Sequence, residues 1–172
     1  MGPLLVAFLA AHAPAFADDA LRARCLDLLS AYEDPATAAD WRALGDGAAA
    51  ELFAIAQDGA LSHTKRGNAI VALGWFPAES HRRYLANLAV SEVEDSLFRR
   101  KAVFALGNGW GAGALPELTT ALQASDKHLR AAAATALGKV GTPAAADALR
   151  ARLAVESDAM VRGTLTTTLS AK

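Results

Sequence analysis

Cysteine is nearly absent from this 172-residue chain: Cys25 stands alone, which excludes an intramolecular disulfide and a thiolate metal cluster. Aromatic residues are also scarce. Trp, Tyr and Phe together fill 11 positions, whereas Ala fills 43, so the core is built from small side chains and the expected outcome is closely packed helices. Neither sign of charge is in excess, with 17 Lys plus Arg against 18 Asp plus Glu and a formal net charge of -1. A dedicated nucleic-acid binder needs a basic surplus to neutralise phosphates, and the chain as a whole lacks one. A hydrophobic fraction of 53% excludes disorder, and the length suits one folded body.

The apolar run from Leu4 to Ala11 is too short for a membrane anchor and is followed by Ala15-Phe16-Ala17, which fits a signal-peptidase site. Residues 1–17 therefore read as a signal peptide, with Asp18 as the mature start and a periplasmic or secreted location; without cleavage the location is cytoplasmic. The front end departs from that pattern, because no Lys or Arg precedes Arg22. The alternative is an apolar N-terminal helix covering the first layer of the core.

Self-comparison finds a repeat of about thirty-two residues. Arg66-Gly-Asn-Ala-Ile-Val-Ala-Leu-Gly74, Arg99-Arg-Lys-Ala-Val-Phe-Ala-Leu-Gly107 and Arg130-Ala-Ala-Ala-Ala-Thr-Ala-Leu-Gly138 align without gaps, and Arg162 to Ser170 is a fourth copy with Ser in place of Gly. Four residues before each Arg stands a helix-capping residue: Ser62, Asp95, Asp126 and Asp158. The Gly after Leu is expected to end each helix in the left-handed conformation, giving helices of about 11 residues. Leu85, Leu118 and Leu149, eleven residues after the glycines, mark a second helix in each unit. The plan is four pairs at about 47–74, 79–107, 112–138 and 143–170. Residues 18–46 form a helical cap or degenerate repeat, with one helix from Leu21 to Tyr32, a break at Asp34-Pro35 and a short helix holding Asp40, Trp41 and Leu44.

The unit D-x-x-x-R-x-x-A-x-x-A-L-G, complete from Asp95 to Gly107 and from Asp126 to Gly138, resembles the short HEAT repeat first named from phycobilisome lyases. The resemblance implies an all-α fold, a right-handed α-solenoid of about four antiparallel helix pairs behind an N-terminal cap. It implies little about activity, since the family includes enzymes, bilin lyases and bare scaffolds. Family enzymes that hydroxylate a lysine derivative carry His-Glu dipeptides, and this sequence has none.

Catalytic chemistry finds no support in the residues. Gly107-Asn-Gly-Trp-Gly-Ala112 satisfies G-x-G-x-x-A, but the repeat register makes it a turn between neighbouring units rather than a dinucleotide loop. His12, His63, His81 and His128 have no carboxylate at ligand spacing, so neither metal nor cofactor is expected. The arginine column, Arg66, Arg99, Arg130 and Arg162, reads as structural: in the last three units an Asp stands four residues before the Arg, and the pair can bridge within a unit or to the next one.

The resemblance places the capped helices on a concave wall. Their free faces project Asn68, Lys101, Ala132 and Thr164 in one row and Val71, Phe104, Thr135 and Thr167 in the next, with Trp75, Asn108 and Lys139 at the rim. The candidate protein-binding set is therefore Asn68, Val71, Trp75, Lys101, Phe104, Asn108, Thr135 and Lys139. Phe104 is either an exposed anchor or packed on Trp75 or Trp110. From Asp18 to Asp95 the chain holds 13 acidic and 7 basic residues, and from 96 to 172 it holds 5 and 10, so the two halves carry opposite fields.

The expected function is a non-catalytic scaffold that binds a protein or peptide on its concave face, with head-to-tail self-association as a further possibility. One alternative is a bilin-lyase-like or chaperone-type protein acting on a client; another is nucleic-acid binding through the basic C-terminal half.

Overall fold

The computed structural model describes residues 13–30, 36–45 and 47–171. Most of the expected signal peptide, together with His12, Tyr32 and the Asp34-Pro35 break, lies outside them. Every regular element among the described residues is helical. Helix α1 (Ala13–Ser30) and the short α2 (Ala38–Ala43) form the N-terminal cap. Four pairs follow: α3 (Ala48–Gln57) with α4 (His63–Ala72), α5 (Glu79–Val90) with α6 (Ser96–Trp110), α7 (Leu115–Ala121) with α8 (Lys127–Val140), and α9 (Pro143–Val155) with α10 (Ala159–Ser170). The protein is a right-handed α-solenoid. Helix α1 begins eight residues before the expected Leu21, and α2 forms because Thr37 and Asp40 complete a capping box around its first turn.

The second helix of each pair starts where the sequence says. Ser62, Asp95, Asp126 and Asp158 are the N-caps of α4, α6, α8 and α10, and each side chain accepts a backbone N–H of the first turn. These caps also link units. Ser96 Oγ donates to Asp126 at 2.6 Å, Lys127 lies 3.6 Å from Asp158, and His63 lies 3.9 Å from Asp95.

The Ala-Leu-Gly glycines do not end helices as expected. Gly107 and Gly138 sit inside α6 and α8, Gly74 lies in a 3-10 turn extending α4, and the left-handed cap of α8 is Gly141 at φ 72°. Their role is proximity. A Cβ on Gly74 would stand 2.8 Å from the Ala105 carbonyl oxygen, one on Gly107 3.3 Å from the Ala136 methyl, and one on Gly138 would collide with the Thr168 methyl. In each case the glycine of one unit meets the residue two places before the glycine position of the next. The motif's Gly and its Ala are thus two halves of one contact. Gly109, read as part of a turn, is likewise helical and lies against Gly74, where a Cβ would meet the carbonyl oxygen at 2.7 Å.

Helices α4, α6, α8 and α10 therefore pack tightly in series, whereas the first helices of successive pairs touch far less. In a curved stack of repeats the more tightly spaced layer is the inner one. Between the two layers Leu52, Ile55, Leu73, Leu85, Leu106, Leu118, Leu137 and Leu149 are fully buried, and Cys25 joins this core from α1. Burial pushes the Cys25 thiol up to about 11, so it behaves as a small apolar side chain.

Two glycine substitutions separate packing from helix propensity. Gly74→Ala should lower stability by about 1–3 kcal/mol through overpacking against Ala105, while Gly163→Ala on α10, where the added Cβ meets nothing, should raise it by about 1 kcal/mol. Chemical denaturation of both variants checks this, and equal shifts of the same sign would contradict the assignment.

Candidate functional site on the inner wall

The arginine column is occupied from behind the wall. Arg66 Nε donates to the Ala56 carbonyl and Arg99 Nε to that of Ala89, both at 3.3 Å, in the last turns of α3 and α5. Arg130 donates to Ala124 and Ser125 just past α7, and Arg162 to Leu153 and Glu156 at the end of α9. The partners expected in the last three units, Asp95, Asp126 and Asp158, are instead bound to their own helix N-termini. A cation at the C-terminus of each outer helix satisfies carbonyls that have no partner within the helix.

One carboxylate does enter this system. Glu156, buried at the C-cap of α9, accepts two hydrogen bonds from Arg130 at 2.8 and 3.0 Å, another from Arg152 at 2.9 Å, and the backbone N–H of Asp158. The Arg130 bonds hold its carboxyl down at about 2. Arg22, at the matching place in the cap, bonds Glu51 and Asp58 and ties α1 to the first pair.

In front of the wall the sequence-derived candidates fall into two groups. Asn68, Val71, Trp75 and Lys101 line one cleft of about 420 Å³ between the cap and α4. Asn68 Nδ2 donates to the Leu29 carbonyl at 3.0 Å, and Lys101 Nζ reaches across from α6 to donate to Asn68 Oδ1 at 3.1 Å. Its stem crosses Gly67, where a Cβ would stand 3.6 Å from Cε. Burial lowers the Lys101 ammonium below its usual range, with Arg100 adding to the effect. The opposite walls are apolar, from Leu28, Leu29 and the buried Trp41, and the described residues of the lining include no carboxylate.

Phe104 and Lys139 form the second group. Phe104 is half-buried, and the Lys139 ammonium lies 5.9 Å from its ring centroid, a cation over an aromatic face. Asn108 is exposed on the next turn of α6, and the Thr135 hydroxyl bonds the Ala131 carbonyl on its own helix. Ala132 is buried between helices and does not project.

The sequence reading missed Trp41, Leu28, Leu29 and Thr64. Thr64 was accessible, standing one turn before Asn68 on the same helical face. The cap residues were not, because the cap has no repeat register to align.

The described histidines are dispersed. His81 is buried, bonded through Nδ1 to the Phe76 carbonyl and stacked on Phe53, while His63 lies on Phe98. No group of three or more His, Cys, Asp or Glu among the described residues is placed to hold a metal ion, and no helix among them is long and apolar enough to cross a membrane. Gly107 to Gly109 spend their backbone groups within α6, so no phosphate cradle exists there.

Stacked helix pairs with a tight inner layer and a partly open inner wall define an α-helical repeat protein. The HEAT-repeat profile matches residues 85–170, half of the chain. The chain belongs to the HEAT-repeat family. Among solved structures it is similar to the complex of CpcE and CpcF of phycocyanin lyase from Nostoc sp. PCC7120, at 19% identity and TM-score 0.62 over 90% of this chain and 98% of that one. It is more distantly similar to human deoxyhypusine hydroxylase in complex with glycerol, at 18% identity and TM-score 0.36 over 95% of this chain and 91% of that one. No curated protein matches it.

Glu156 generates a pH prediction. Its carboxyl is lowered on folding, so the stability it contributes is full above its unfolded value near 4.5 and is lost as pH falls toward about 2. Glu156→Gln should cost about 3 kcal/mol at neutral pH. The gap between variant and parent, followed by urea denaturation, should close between those two pH values; a gap that persists at pH 2 would contradict the buried ion pair.

Proposed function

We propose that the protein is a non-catalytic interaction scaffold that binds a protein or an extended peptide along its inner wall. The observation that carries this reading is the convergence of Asn68, Val71, Trp75 and Lys101 on one cleft, with the Phe104 and Lys139 pair beyond it on the same wall. The arginines that might have served as a ligand ladder are occupied by outer-helix carbonyls, and what remains in front is aromatic, amide and ammonium. Such a surface suits docking: aromatic anchors supply contact area, and polar groups fix register.

A second reading, action on a client protein in the manner of a bilin lyase, is favoured by the similarity to the phycocyanin lyase complex. The two readings share the inner wall and differ in whether a chemical step follows binding. The scaffold reading carries with it export of the chain through cleavage after Ala17, which the N-terminal residue of the mature protein tests.

The immobilised chain should capture a discrete partner from a periplasmic extract, and both Phe104→Ala and Lys101→Glu should reduce that capture at least ~10-fold, as expected for anchor residues. Capture unchanged in both variants would contradict the proposed face.

A further inference from the structure

Charge is segregated between the two layers. Helices α4, α6, α8 and α10 contain nine Lys and Arg and no Asp or Glu, whereas each of α3, α5, α7 and α9 carries at least one carboxylate. Most of the nine cations have work elsewhere. The four column arginines serve carbonyls, and Lys127 meets Asp158. Arg100 donates to the Ser96 carbonyl, and the remaining three cations have no carboxylate partner among the described residues: Lys65, Lys101, whose described partner is the Asn68 amide, and Lys139, over the Phe104 ring.

Lys101 is the most telling. A half-buried ammonium in a cleft walled by Leu28, Leu29, Trp41 and Trp75 has lost hydration without gaining a counter-ion among the described residues. A carboxylate would supply it, and apolar atoms on either side of that carboxylate would cover the tryptophans and leucines. Phe104 lies one turn from Lys101 on the same face of α6, so an aromatic and a cation recur farther along the wall. Recurrence of one chemistry suits a chain longer than the cleft. It suits a polyphosphate backbone poorly, since that calls for several exposed cations.

We propose that the cleft takes an acidic, apolar-flanked extended segment of a partner polypeptide, with Lys101 as the counter-ion of one carboxylate and Lys139 reinforcing the register. The proposal rests on the scaffold reading and deepens it by giving the partner's chemistry.

The test uses the full chain and two fluorescein-labelled peptides of Leu–Glu–Ser or Leu–Gln–Ser repeats, read by anisotropy. The Glu peptide should bind ~10-fold more tightly than the Gln peptide at low salt, and the ratio should shrink in 0.5 M salt. Lys101→Met should bring the ratio near ~1, and Lys139→Gln should lower it ~3-fold; Lys101→Met keeps the aliphatic stem, and its thermal midpoint should not fall. Equal binding of the two peptides would overturn the carboxylate while leaving the scaffold reading intact. A ratio unchanged in both folded variants would overturn the roles of Lys101 and Lys139. Failure of both peptides overturns the proposal, whether duplex DNA binds in their place or the chain associates with itself at low salt.

Discussion

Contact between a glycine of one inner helix and a small residue of the next is the constraint on which the rest of the molecule depends. At Gly74 a Cβ would strike the Ala105 carbonyl, and at Gly107 it would press on the Ala136 methyl. Because the backbones can meet there, the second helices of successive pairs form a near-continuous layer, and the first helices are left farther apart. That difference in spacing gives the stack its curvature, and the curvature gives it an inside. No single pair has a face large enough to hold itself together, so stability and shape come from the same serial contact.

Polar residues hold this arrangement at its ends. The N-caps of the inner helices reach back to the preceding unit through Ser96, Lys127 and His63, while the arginines of the same helices close the C-termini of the outer ones. Each unit is thus tied at the N-terminus of one layer and the C-terminus of the other. A consequence is that the carboxylates gather on the outer layer, the caps and the loops. The inner wall is left with ammonium, amide and aromatic groups, which decides the chemistry of any partner it receives.

Much of this was legible in the sequence. The 31- to 33-residue steps between arginines, the capping residue four places before each, and the leucines eleven residues after each glycine specify four helix pairs. The role of the glycines was not, because Gly after Leu fits both a left-handed cap and a close helix approach, and only the facing Ala distinguishes them. The arginines were read as structural, but with the wrong partners, for a related reason: Asp at i-4 is visible in sequence, whereas a backbone carbonyl five to ten residues back is not. For the site, Asn68, Val71, Trp75 and Lys101 came from face projection on a periodic helix. Trp41 and Leu29 came from the cap, where periodicity stops and a linear reading has no frame in which to place them.

The most direct test of the close inner contact is a double-mutant cycle between Gly107 and Ala136, exchanging the small residue from one helix to the other. Relative to helix propensity alone, Gly107→Ala should gain less stability and Ala136→Gly should lose more, and the double variant should recover about 1 kcal/mol of coupling, since it moves one methyl across a single interface. Strictly additive unfolding free energies would mean that the two helices are not in contact at this point, and the account of the curved inner layer would fail.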